Sequence, residues 1–135
     1  MLTDEQKNKM IKSALQSREH AYAPYSGYAV GAALLTRTGE IFTGVNVENA
    51  AYPTGTCAER VAVFKAVSEG EKDFEAIAVA SSNGGTPCGA CRQVLAEFGL
   101  DIKVLIVDGE GKSVQDTTVG ELLPGAFTPQ DLPPK

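Results

Sequence analysis

The residues with the greatest chemical reach in this sequence are three cysteines and one glutamate. Cys57, Cys88 and Cys91 are its only cysteines; Cys57 opens the triplet C-A-E, which sets Glu59 two residues on, and the other two form P-C-G-A-C. At about 100° per residue, side chains three apart on a helix lie about 60° from each other, so Cys88 and Cys91 share a face and can grip one ion. Three thiolates are a soft donor set suited to zinc. Three protein ligands also leave the fourth tetrahedral position to water, the pattern of a catalytic rather than a structural centre. A structural site wants a fourth ligand, and the sole histidine, His20, falls at the end of a predicted helix, where interaction with the last carbonyls is its plainer role. A lone C-x-x-C also fits a redox pair or part of a zinc knuckle. The redox reading leaves Cys57 unexplained and lacks the βαβ unit expected ahead of a thioredoxin-like motif. Glu59 adds the proton acceptor that an activated water needs.

Those residues need a fold to bring them together, and composition says which kind. The chain has 135 residues, 43% hydrophobic and 21% charged, the profile of one compact domain over residues 1–135. A domain of this size buries roughly two thirds of its unfolded surface, so no staple is required merely to fold it. The formal net charge is -5 with no run of Lys and Arg, which disfavours a polynucleotide partner. No apolar run approaches the ~18 residues of a spanning helix, so no membrane partner is expected. The polar N-terminus MLTDEQKNKMIKSAL and the odd cysteine count predict reduced thiols in a cytoplasmic chain.

Periodicity supplies the elements. Thr3 and Gln6 have capping-box spacing ahead of a helix that carries Met10, Ile11, Ala14 and Leu15 on one face and ends before Pro24. Tyr28 to Leu35 and Ile41 to Val47 read as a hairpin broken at Thr38-Gly39. A helix over Cys57 to Glu69, with Val61, Phe64 and Val67 at helical spacing, stops at Gly70. Ala76 to Ala80 and Ile102 to Val107 read as buried strands flanking a helix from about Cys88 to Phe98. A short strand near Val114 and a helical turn at Val119 to Leu123 follow, and residues 128–135, TPQDLPPK, form a predicted loose end. The strand-helix-strand crossover makes its two strands parallel while the hairpin is antiparallel, so an α/β layered domain with a mixed sheet is expected.

C-A-E and P-C-x-x-C, separated by 31 residues from Cys57 to Cys88, resemble the zinc nucleobase deaminase signature in its three-cysteine form. The stretches YAPYSGYAVGAALL, GVNVENAAYPTGTCAERVAVFKAV, TPCGACRQVLAEF and ELLPGAF look like the short, homotetrameric cytidine deaminases of pyrimidine salvage. The likeness runs in order from the first helix to Phe127, nearly the whole chain. It implies a three-layer α/β/α fold on a mixed five-stranded sheet, one Zn2+ per chain held by Cys57, Cys88 and Cys91, and a homotetramer. It also implies a small-molecule nucleoside substrate: cytidine, with 2'-deoxycytidine, hydrolysed to uridine or deoxyuridine and ammonia.

Under the same resemblance Glu59 is the proton shuttle between water, N3 and the departing amine. Arg60 offsets the excess charge of three thiolates on one divalent ion; apart from the resemblance, Arg92 follows Cys91 in the chain and is expected to contribute less directly. Asn46 and Glu48 hydrogen-bond the ribose, their i, i+2 spacing placing both on one face of an extended segment. Tyr28 stands where the family usually has Phe and packs on the pyrimidine, with a hydroxyl that must find a partner. Ala58 offers its backbone to the base, the backbone ahead of Cys88 receives the amine, with Thr86 in place of the more usual Ser, and Phe127 reaches into a neighbouring subunit's site.

Overall fold

The computed structural model describes residues 2–134. In chain order the elements are α1 (Asp4–Arg18), β1 (Val30–Thr36), β2 (Ile41–Val45), α2 (Ala58–Ser68), β3 (Phe74–Ser81), α3 (Gly89–Ala96), β4 (Lys103–Val107), β5 (Ser113–Thr118) and α4 (Val119–Leu122), with short 3-10 turns at Tyr52–Thr54 and Pro129–Asp131. The first helix starts as its capping box dictates: Gln6 N–H donates to Thr3 Oγ1 at 3.1 Å, and Thr3 N–H donates to Gln6 Oε1 at 3.0 Å.

The strands form one five-stranded sheet in the order β2-β1-β3-β4-β5. β1 is antiparallel to both β2 and β3, β3 and β4 are parallel, and β5 returns antiparallel to β4. The expected mixed sheet and its parallel crossover are therefore present. Period-2 alternation sorts the side chains into two cores. Ala32, Leu34, Ile77, Val79, Val104 and Ile106 face the side that packs α2 and α3, while Ala33, Leu35, Ala76, Ala78, Leu105 and Val107 face α1 through Met10 and Ala14. Helices on both faces of a central sheet make the three-layer α/β/α arrangement.

Of the residues that gave α2 its periodicity, Val61 is half-buried while Phe64 and Val67 point outward. Phe64 is 52% exposed and Val67 36%, whereas Ala58, Ala62, Val63 and Ala66 are buried. A small-residue face lets α2 lie close against β2, where Gly44 presents bare backbone. A Cβ at Gly44 would collide with the Ala58 carbonyl and come within 2.6 Å of the Ala62 amide. Gly31 on β1 allows the same approach by α1, since a Cβ there would run into the Ala14 carbonyl. Overpacking of this kind costs about 1–3 kcal/mol. Gly44→Ala is thus expected to lower the unfolding free energy by about 2 kcal/mol, read from the urea midpoint; an unchanged midpoint would show that α2 shifts freely.

At the other end, Gln93 Nε2 on α3 donates to the Phe127 carbonyl at 2.8 Å. Thr128 N–H donates to Asp131 Oδ2 at 2.8 Å, closing the turn that follows.

Candidate active site

Two helices begin at the same end of the sheet, and each has a cysteine as its N-cap. Cys57 precedes α2 with extended backbone, φ -78° and ψ 156°, and Cys88 precedes α3 likewise, φ -66° and ψ 168°. Neither helix takes a side-chain cap. The free amides and the positive end of the α2 dipole therefore favour a thiolate at Cys57. Cys91 lies one turn into α3 and is fully buried.

The crossover from β3 to β4 swings Cys88 and Cys91 to where α2 delivers Cys57. All three sulfurs lie within 4.8 Å of one another, and they are the only group among the described residues arranged to hold a metal. Cys57 Sγ is 3.8 Å from Cys88 Sγ, which is 3.5 Å from Cys91 Sγ. Tetrahedral zinc with Zn–S bonds of about 2.3 Å sets sulfurs about 3.8 Å apart, so the donor set fits that ion in both kind and spacing. His20, exposed at the end of α1, takes no part.

The electrostatics match. The Cys91 thiol donates to the Cys57 sulfur, Arg60 and Cys88 reinforce it, and the Cys57 thiol falls to about 5. Cys91 is pushed up, first by giving that hydrogen bond and then by burial. Arg60 Nη2 donates to Cys57 Sγ at 3.3 Å, one helical turn along the same face. Its charge is further stabilised by that bond. Arg92 behaves differently from the expectation of a charge near the thiolates. Its Nε donates to the Pro87 carbonyl at 2.7 Å, Nη1 to the Leu122 carbonyl at 2.7 Å and Nη2 to Thr86 Oγ1 at 3.0 Å. It is a clamp on backbone, because one residue past Cys91 the helix has turned its side chain away from the sulfurs.

Glu59 is only 5% exposed. Burial pushes its carboxyl up from the ordinary carboxylate range, and the negative charge of Cys57 adds to this. It faces a cavity of about 190 Å³ walled by Tyr28, Ala58, Thr86, Cys57 and Cys88. A wider groove of about 490 Å³ adjoins it, sharing Asn46 and Cys57 and adding Glu48, Tyr25, Tyr52 and Arg60.

Asn46 and Glu48 both line that groove, and both are also tied into the chain. Asn46 Nδ2 donates to the Tyr28 carbonyl at 2.7 Å and its Oδ1 accepts Val30 N–H at 2.9 Å, joining the end of β2 to the start of β1. Glu48 accepts the amides of Tyr25 at 2.9 Å and Ser26 at 3.1 Å through Oε1, and the Ser26 hydroxyl through Oε2. The Ser26 hydroxyl above all holds the Glu48 carboxyl below its usual range, so it stays an anionic acceptor. Phe127 is 55% exposed and lines neither cavity of its own chain. Ser26, Ser81 and Asn83 were not anticipated as site residues; the hydroxyl of Tyr28, in need of a partner, was the one signal pointing to the last two.

Residues 4–107 match the model of the cytidine and deoxycytidylate deaminase zinc-binding region. A cytidine deaminase of Halalkalibacterium halodurans is 52% identical over 126 residues, covering 91% of this chain and 95% of its own. One of Sporosarcina psychrophila is 50% identical, covering 92% and 93%. The crystal structure of cytidine deaminase from Burkholderia pseudomallei superposes with a TM-score of 0.84 at 46% identity, covering 89% of this chain and 98% of that one.

Proposed function

The chain belongs to the cytidine and deoxycytidylate deaminase family, and from that premise we propose that it hydrolyses cytidine, and 2'-deoxycytidine, to uridine or deoxyuridine and ammonia. The observation that carries this reading is the buried Glu59 carboxyl facing a cavity of about 190 Å³ beside three convergent sulfurs. A zinc ion held by Cys57, Cys88 and Cys91 supplies a Lewis acid that makes water nucleophilic near neutral pH.

The remaining steps fall to the chain's own groups. Glu59 Oε takes one proton from the attacking water as the C4–O bond forms and gives it to N3 of the ring, then takes the second from the new C4 hydroxyl and delivers it to the amine as the C4–N4 bond breaks, so two protons are taken up and two released. Its burial raises its proton affinity, which suits a group that must both accept and release. Three thiolates exceed the charge of one divalent ion by one, and the Arg60 guanidinium on Cys57 offsets that excess. The Tyr28 ring and the Ala58 backbone hold the base, with the amine directed to the backbone ahead of Cys88. The ionised Glu48 and the amide of Asn46 face the groove where a ribose would lie.

The exposed stripe of Phe64 and Val67 on α2, with Tyr52 at 74% and Phe127 at 55% exposure, supports a homotetramer in which Phe127 completes a neighbour's site. Light scattering is expected to give four chains per particle; a stable, active monomer would remove this part of the reading. A cytoplasmic place in pyrimidine salvage fits a chain whose described residues include no helix long and apolar enough to cross a membrane.

The deciding experiment quantifies zinc per chain and then assays cytidine, deoxycytidine and a cytosine-containing single strand side by side. One zinc per chain with turnover of the free nucleosides alone is expected. Zinc without deamination would make the chain a binding module, and turnover confined to the strand would make it a polynucleotide editor.

A further inference from the structure

We propose that the Tyr28 hydroxyl is a latch that holds the loop ahead of Cys88, a positioning role that rests on the deaminase reading of the site. Tyr28 Oη lies 2.6 Å from Asn83 Oδ1 and 2.9 Å from Ser81 Oγ, and Ser81 Oγ accepts Gly85 N–H at 3.1 Å. Asn83 Oδ1 can only accept, and two hydroxyls reach it, Tyr28 Oη at 2.6 Å and Ser81 Oγ at 3.4 Å; the shorter contact takes the tyrosine's single proton, which leaves the Ser81 hydroxyl to donate to Tyr28 while it accepts the Gly85 amide. A directional chain results, Gly85 to Ser81 to Tyr28 to Asn83, in which each bond strengthens the next.

The chain spans three parts of the molecule: the approach to β1, the end of β3 and the loop over residues 82–87. Ser81 is 1% exposed, so its hydroxyl has no water to fall back on. The loop backbone sits directly on the latch, since a Cβ at Gly85 would come within 2.8 Å of Tyr28 Oη. Its far end is held by Arg92, on the Pro87 carbonyl and the Thr86 hydroxyl. The segment that walls the inner cavity and sets the direction of Cys88 is thereby pinned at both ends.

This also spends the hydroxyl. With one bond donated and one accepted inside the chain, Tyr28 turns an aromatic ring toward the cavity and keeps no free O–H for a ligand. The latch shapes the wall against which the base rests, so losing it weakens ground-state and transition-state binding together and appears in KM more than in kcat.

Tyr28→Phe, Asn83→Ala and the double variant in the zinc-loaded full chain test this. Each single change is expected to raise KM for cytidine about fivefold with kcat within about twofold, the scale of one lost hydrogen bond. The double variant should be no worse than either single one. Amide exchange over residues 82–87 should quicken about tenfold in Tyr28→Phe, while β1 and β3 keep their protection. Unchanged exchange and KM in Tyr28→Phe, or additive losses in the double variant, would overturn the latch. Failure of the unsubstituted protein to deaminate cytidine would count against the function alone, because the exchange comparison judges the latch without turnover.

Discussion

Glu59→Gln should abolish nearly all turnover while leaving the fold and the metal content intact. Glutamine keeps the shape of the buried side chain and can neither accept a proton from water nor pass one on. General acid–base groups contribute about 10² to 10⁴ in rate, and Glu59 serves several proton transfers in one cycle, so a fall in kcat of about 10³ or more is expected. Stability should hardly move: a buried carboxyl pushed toward its neutral form by desolvation loses little when made a neutral amide. Glu59→Ala should lose turnover similarly, with the added cost of a small cavity. The measurements are kcat on cytidine, zinc per chain and the urea midpoint. Substantial residual deamination by a metal-loaded Glu59 variant would sink the shuttle.

Cys91→Ala attacks the same site by another route, and its effects should separate cleanly from those of Glu59. Two sulfurs at helix N-caps remain, and zinc affinity should fall by more than the roughly 100-fold that loss of an outer hydrogen-bond partner costs a metal site. Activity should drop below detection at ordinary zinc concentrations. Cys91 is also buried, so the variant removes core volume, whereas Cys88→Ala, at an exposed position, should lose the metal with a smaller change in metal-free stability. Zinc titration of both variants against the parent checks this. Retention of one tightly held zinc in Cys91→Ala would mean that the three sulfurs do not act as one set.

How far the sequence foretells this molecule depends on the range of the interactions involved. The capping box at Thr3 and Gln6, the hairpin around Thr38-Gly39 and the parallel crossover through α3 are local or nearly so, and the structure has all three. The orientation of α2 was not readable. Two of the large apolar residues that set the period, Phe64 and Val67, are exposed, while small Ala58 and Ala62 lie where α2 meets the bare backbone of Gly44. Arg92 bonds to Pro87, Leu122 and Thr86 for a related reason, since adjacency to Cys91 in the chain is not adjacency around a helix. The grouping of the three cysteines was legible because a zinc site demands those residue types at that spacing, and the structure brings their sulfurs together with Glu59 buried nearby. The Ser81 and Asn83 partners of Tyr28 lie 53 and 55 residues away in sequence, and no local pattern predicts such a meeting.

The two N-cap cysteines have a mechanical consequence. Cys57 and Cys88 are 31 residues apart in the chain, and the segment between them contains all of α2 and β3. An ion bound by both works as a crosslink that closes a loop around one helix and a central strand, much as a disulfide would. The entropy withheld from the unfolded chain by a closure of that length is worth about 4 kcal/mol. The reactive centre therefore doubles as a fastener, and stripping the metal should loosen the middle of the sheet as well as silence the chemistry at its end.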